Sequence, residues 1–281
     1  MSEQVFESFA AEANVIPVVR SIMADHLSPV LAYRRLVSAD NRTAPSFLFE
    51  SVENGDEVGR FSFLGSNPTL EVIAREHEVL IRCHSTGTEE TKQVDNPLDF
   101  IRDISSQWNV STPILLGDSV LPSFTGGWVG FAGYDTARYC ELSVLPFVNA
   151  SEDDRDLPDI HMALYQTIVV FDHVAKIIHV VHNEMENPDT NASKRWQEAN
   201  REVDQVVSLL QSETENIPVG SIDIDLSLQP PVPEHSSMSK EAFENAVQKC
   251  KAYISEGDAF QIVISQRFQH RTTIDPFEIY R

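Results

Sequence analysis

The chain has 281 residues and a mass of 31.6 kDa, room for one large domain or two ordinary ones, and its 42% hydrophobic and 23% charged residues are the composition of a globular protein. Lys and Arg number 21 against 43 Asp and Glu, so the net charge is −22, and a surface that negative repels phosphate backbones and anionic headgroups. Nucleic acids and membrane surfaces are excluded as expected partners; an anionic small molecule is not, because a few arginines in a pocket can oppose the mean field.

The first predicted elements form a helix-turn-helix approach to a sheet. Ser28 suits an N-cap, Pro29 the first helical position, and Leu31, Ala32, Leu36 and Val37 one apolar face. Ser46 to Ser51 follows as a short strand, Glu53 to Gly59 as an acidic loop and Arg60 to Gly65 as the returning strand. Glu71 to Arg75 and Val79 to Cys83 predict a hairpin, and Asp95-Asn-Pro97 opens a helix through Phe100, Ile101 and Ile104. Beyond the glycine-rich run Phe124 to Tyr134, the segments Ala163 to Phe171 and Lys176 to His182 predict a second hairpin. Trp196, Ala199, Val203, Val206, Val207 and Leu210 mark one face of a helix over Asn191 to Ser212.

From Glu215 to Ser237 periodicity disappears and prolines accumulate, which predicts a crossing segment. Ser239 then caps a helix ended by Gly257, and Ala259 to Phe268 is expected to be a strand. Asp275 and Pro276 open a last helix that Arg281 ends after barely a turn. Isolated helices need about 12–15 residues to hold, so the complete protein is expected to continue.

Three cysteines, Cys83, Cys140 and Cys250, are too few and too scattered for a disulfide framework or a zinc cluster, and are expected to be reduced. No stretch reaches the roughly 18 apolar residues of a membrane span. The first twenty residues carry Glu3, Glu7 and Glu12 with only Arg20 basic, so no secretory or transit signal is expected. That points to the cytoplasm, or to a plastid only where a transit peptide is missing from these residues. The sequons at Asn41, Asn109, Asn149 and Asn191 are then chance matches.

Phosphate-loop, dinucleotide, nucleophile-elbow and zinc-protease patterns are all absent. His173, His179 and His182 are expected to be ordinary strand histidines rather than metal ligands, since His179 and His182 would point to opposite faces. Gly126, Gly127, Gly130 and Gly133 crowd around Trp128, Phe131 and Tyr134; they are expected to serve tight strand packing rather than close approach to a ligand or partner domain, with a stability cost for Ala at Gly127 and Gly130 if these need positive φ. Glu50 and Ser51 end an apolar strand and Arg60 returns nearby. A carboxylate for a ligand ammonium, with a hydroxyl and a guanidinium for its carboxylate, would hold a free amino acid at both ends. The bland alternative is a solvated strand rim.

The segments Asp25 to Tyr33, Ser46 to Val52, Gly59 to Gly65, Gly126 to Gly130 and Gly257 to Arg267 resemble, in order and spacing, the component I (alpha) subunits of anthranilate synthase. The resemblance runs from about Phe9 to Arg281; the Gly257 segment is shared by chorismate-utilising enzymes in general. It implies an α+β fold with antiparallel sheets and outer helices, incomplete in these residues. Residues 1–214 would be the domain carrying the tryptophan feedback site, 215–237 a linker, and 238–281 the start of a chorismate-binding catalytic domain. Glu50 and Ser51 match the family's tryptophan contacts, and Arg60 more loosely a basic one. The resemblance further implies Mg²⁺, chorismate as substrate, tryptophan as inhibitor and a glutamine amidotransferase subunit supplying ammonia. Catalytic and metal residues would fall beyond Arg281, leaving this chain inactive alone. The rivals are the large subunit of aminodeoxychorismate synthase and a non-catalytic amino-acid-binding module.

Overall fold

The computed structural model describes residues 1–37, 44–50, 59–112, 121–150, 153–212, 227–228 and 233–281. The chain divides into two compact units, Met1–Asn216 and Ile217–Arg281.

The first unit runs α1 (Glu3–Ala10), β1 (Val15–Met23), α2 (Pro29–Leu36), β2 (Phe47–Phe49), β3 (Phe61–Gly65), β4 (Leu70–Arg75), β5 (Glu78–Cys83), β6 (Thr88–Gln93), α3 (Pro97–Ser106), β7 (Gly127–Ala132), α4 (Ala137–Cys140), β8 (Ile160–Tyr165), β9 (Thr167–Asp172), β10 (Ile177–Met185) and α5 (Ala192–Gln211). The strands form two antiparallel five-stranded sheets, ordered β1-β10-β9-β3-β2 and β6-β5-β4-β8-β7. The fold is thus α+β with antiparallel sheets and helices packed against them.

Side-chain alternation explains the layers. On the first sheet Leu64, Val169, Phe171, Ile178 and Val180 pack against Phe6 of α1, Ala32 of α2 and Ala199, Val203 and Leu210 of α5. Its opposite face, with Phe47, Ile168, Val170 and Val181, meets Ala163 and Tyr165 of the second sheet. The far side of the second sheet buries Val72, Ala74, Val79 and Ile160 under Leu98 and Ile101 of α3 and under Tyr139. Each Val, Leu, Ile or Phe side chain so buried contributes about 1.5–3 kcal/mol. The helix ends follow their caps: the side chains of Ser28, Asn96 and Asn191 each accept a backbone N–H of the first turn.

Several expectations change, and one strand was not foreseen. The opening is helix–strand–helix: Val15 to Val18 are buried in β1, an edge strand of the first sheet, where Pro17 is tolerated. Ala163 to Phe171 is two strands in different sheets, separated by Gln166 alone; β8 pairs with β7 and β4, β9 with β10 and β3. Asn183 pins this crossing, its N–H donating to the Gln166 carbonyl at 2.8 Å and its Nδ2 to the Thr125 carbonyl at 2.8 Å. Thr88 to Gln93 forms a wholly exposed edge strand that no hydrophobic pattern announces, paired with β5 and joined by the Arg82–Glu89 ion pair at 2.6 Å.

The second unit contains β11 (His235–Ser236), α6 (Lys240–Glu256), β12 (Phe268–Gln269) and α7 (Pro276–Tyr280). Ser239 caps α6 and Gly257 ends it in the left-handed region at φ 86°. The strand expected over Ala259 to Phe268 shrinks to β12, which pairs with β11. Its backbone finds no other strand among the described residues, and Phe260 and Val263 are 100% and 82% exposed. Most of the proline-rich segment Glu215 to Ser237 lies outside the described residues.

Gly127 has φ 121° with open space around it, whereas Gly130 lies at ordinary φ and is required for a different reason. A Cβ on Gly130 would overlap the His161 carbonyl oxygen of β8. Gly127→Ala and Gly130→Ala are each expected to cost about 1–3 kcal/mol, by backbone strain and by overpacking respectively. That lowers the melting temperature by several degrees in a unit of this size. Unchanged melting of Gly130→Ala would contradict the β7–β8 packing.

Candidate functional site

Strand register assembles the candidate site. Phe49, the last residue of β2, pairs with Phe63, and Phe61, the first of β3, pairs with Asp172 at the end of β9. Glu50 just past β2 and Arg60 just before β3 therefore come to the same end of the first sheet. Glu50 is half-buried. Ser51 lies outside the described residues.

Alternation sets Phe47, Phe61 and Phe63 on the face toward the second sheet, where they pack with Phe124. Ring centroids are 5.0 Å apart for Phe47–Phe49, 6.3 Å for Phe61–Phe63 and 5.6 Å for Phe63–Phe124. Phe49 is 53% exposed, so this aromatic wall has an open end. The Arg60 guanidinium lies 4.9 Å over the ring of Phe61.

Arg60 grips Asp172 with one edge of its fork. Nη2 donates to Oδ2 at 2.6 Å and Nε to both oxygens at 3.1 and 3.2 Å. Oδ1 also accepts the backbone N–H groups of Val174 at 3.0 Å and Ala175 at 2.9 Å, so the β9–β10 turn holds the carboxylate from behind. The Asp172 side chain is only 1% exposed. Burial by itself would raise its pKa; the bonds from Arg60, Ala175 and Val174 outweigh that and hold it below the usual carboxylate range. No hydrogen bond of Arg60 Nη1 is found among the described residues. The arrangement is a fixed guanidinium with one free edge beside an aromatic wall, chemistry suited to a carboxylate carried on an aromatic body.

His179 and His182 lie on β10 as expected, whereas His173 falls in the β9–β10 turn, and all three bond to residues of the first sheet. Ser62 Oγ and His173 Nε2 are 2.7 Å apart, Ser21 Oγ and His179 Nδ1 2.8 Å, and Thr167 Oγ1 and His182 Nδ1 2.7 Å. Burial pushes the pKa of His179 down, favouring the neutral ring. A groove of about 720 Å³ beside α5 is lined by Glu184, Glu186, Glu198 and Glu202 and does not include Glu50 or Arg60. Among the described residues no group of three or more His, Cys, Asp and Glu side chains could hold a metal ion. These residues therefore do not fit a Mg²⁺ site, and none is assigned as a ligand.

Sequence reasoning missed a buried carboxylate in the second sheet. Glu71, 1% exposed, accepts from His84 Nε2 at 2.5 Å, His161 Nε2 at 2.6 Å and Arg82 Nη1 at 3.3 Å. The signal was available: a lone acid inside the otherwise apolar strand Leu70-Glu-Val-Ile-Ala74 needs partners if it is buried. Burial acts to raise the Glu71 pKa, but the bonds from His161, His84 and Arg82 lower it overall.

The comparisons agree with this architecture. The family described as chorismate binding enzyme matches residues 44–281, and the chain belongs to that family. It is 44% identical, over 286 residues, to the chloroplastic anthranilate synthase alpha subunit 1 of Oryza sativa subsp. indica, covering 99% of this chain and 48% of that protein. It is 42% identical to the chloroplastic alpha subunit 2 of Arabidopsis thaliana, covering 100% of this chain and 46% of that protein. The crystal structure of anthranilate synthase component I from Streptococcus pneumoniae TIGR4 matches with a TM-score of 0.50 and 27% identity, over 92% of this chain and 51% of that one. The chain spans about half the length of these relatives.

Glu71→Gln removes the charge while keeping the shape, and is expected to destabilise the first unit by about 1–3 kcal/mol at neutral pH. The folded pKa is depressed, so the stabilisation is complete above the unfolded value of roughly 4.3 and is lost as pH falls through the folded value. The wild-type advantage in denaturant melts should persist at about pH 5 and close below about 4. A gap that stays open well below about pH 4 would contradict this.

Proposed function

We propose that this chain is part of an anthranilate synthase component I in tryptophan biosynthesis, and that Glu50, Ser51 and Arg60 belong to a tryptophan feedback site. The observation that carries the site reading is the free edge of Arg60, at the Glu50 end of the first sheet and beside the open aromatic wall of Phe49, Phe61 and Phe63. In this reading Arg60 and Ser51 hold the effector carboxylate, Glu50 its ammonium, and the phenylalanines its ring. Family membership and the names of the relatives support the activity. The whole enzyme would add ammonia to the chorismate ring, lose the ring hydroxyl and eliminate pyruvate to give anthranilate. A glutamine amidotransferase subunit would supply the ammonia, and Mg²⁺ would neutralise the carboxylates of the dianionic substrate. The location proposed is the cytoplasm, or the plastid if the protein follows its relatives named chloroplastic; no described helix is long and apolar enough to cross a membrane.

The test is to purify the full-length gene product, add chorismate, Mg²⁺ and ammonium at alkaline pH, and follow anthranilate fluorescence. Anthranilate formation inhibited by tryptophan is expected; aminodeoxychorismate as the product would overturn the reading. The 281 residues alone are expected to give no turnover above a heat-killed control. In the full-length enzyme Glu50→Ala should weaken tryptophan inhibition about ten- to a hundredfold, the loss of one charge-assisted hydrogen bond. Ser51→Phe, which removes the hydroxyl, should weaken it as well. Wild-type inhibition in both variants would displace the site.

A further inference from the structure

Arg60 alone does not make a carboxylate site. An exposed arginine samples many rotamers, and holding it in one costs side-chain entropy when a ligand binds. Here that cost falls on folding, because Asp172 immobilises the fork before any ligand arrives. Asp172 is itself immobile: nearly fully buried, it ends β9 and accepts Val174 and Ala175 N–H groups from the following turn on the same oxygen that faces Arg60 Nε. The Arg60 carbonyl accepts the His173 N–H at 2.9 Å, so the backbone at Arg60 is tied to the same turn. The Phe61 ring packs against the guanidinium, its centroid 4.9 Å from the guanidinium carbon. These contacts occupy Nε and Nη2, and no hydrogen bond of Nη1 is found among the described residues.

We propose that Asp172 is a positioning residue: it orients Arg60 so that the Nη1 edge receives the α-carboxylate of an aromatic amino-acid effector. The proposal rests on the tryptophan-site reading above and deepens it. It carries a definite sign. Asp172 also neutralises Arg60, so a carboxylate that bound through net charge alone would bind better once Asp172 were neutral. If orientation governs, removing Asp172 weakens binding instead. Asn is the informative replacement, because its Oδ1 can still accept from Val174 and Ala175 while its Nδ2 offers Arg60 a donor in place of an acceptor. The turn is kept, while the fork loses both bonds to Oδ2, including the short one from Nη2.

The experiment measures binding of tryptophan and of tryptamine, which lacks the carboxylate, to full-length wild type, Asp172→Asn and Arg60→Lys by calorimetry, with melting curves for each. Arg60→Lys keeps the charge and loses the fork. Both variants should bind tryptophan at least about tenfold more weakly than wild type and tryptamine within about twofold of wild type. An equal loss for both ligands in a variant that melts normally would overturn the proposal, as would unchanged or tighter tryptophan binding by Asp172→Asn. If Asp172→Asn does not fold, Arg60→Lys decides: a loss confined to tryptophan supports a presented fork, and no loss overturns it. Failure of the wild type to bind tryptophan would instead refute the tryptophan-site reading, and the positioning role with it.

Discussion

A single residue, Gln166, separates two strands that belong to different sheets, and the first unit is organised around that crossing. Continuing β8 into β9 without a loop forces the two sheets to meet at Tyr165 and Thr167, where Asn183 closes the gap with backbone and side-chain bonds. The Phe47–Tyr165 ring pair, 4.8 Å between centroids, packs at the same junction. Once β9 starts at Thr167, its pairing with β10 and β3 determines where it ends. Asp172 falls at the turn with its side chain on the face shared with Phe61. The placement of the Arg60–Asp172 pair is thus a consequence of the crossing and the strand lengths.

This separates what the site owes to fold from what it owes to chemistry. The aromatic wall is one face of a sheet whose other face carries the helices, and a two-residue period suffices to build it from Phe47, Phe49, Phe61 and Phe63. The polar end is different. Asp172 is buried, and a buried carboxylate is costly unless it is paired and hydrogen-bonded. Here Arg60 and two turn amides supply those bonds, and the same bonds leave the Nη1 edge of a partly exposed guanidinium without a hydrogen bond among the described residues. A stabilising contact and a presented ligand group are then one arrangement. Glu71 shows the same economy in the second sheet, where one carboxylate gathers Arg82 from the end of β5, His84 just past it and His161 from β8.

Local signals were legible in the sequence; the assignment of strands to sheets was not. Ser28, Asn96, Asn191 and Ser239 cap helices where their side chains and the following apolar periods place them, and Gly257 ends α6. The hairpin of β4 and β5 follows from its alternation. Ala163 to Phe171 hid its division because strands buried on both faces lose the polar alternation that would mark an end. Strand β1 was obscured by Pro17, which only an edge position permits, and β6 by having no apolar residue at all. At the site, the residue types of Glu50 and Arg60 suggested amino-acid binding. Asp172, 112 residues from Arg60, could be joined to it only through the β3–β9 register.

The central claim is that the fold holds Arg60 ready on Asp172 and that an effector carboxylate occupies its free edge. It is tested most directly by a crystal structure of the full-length protein with tryptophan bound. The ligand carboxylate should lie about 3 Å from Arg60 Nη1, with Nε and Nη2 still on Asp172 and the indole against Phe49, Phe61 and Phe63. A carboxylate bound elsewhere, or Arg60 swung away from Asp172 to reach it, would contradict the account.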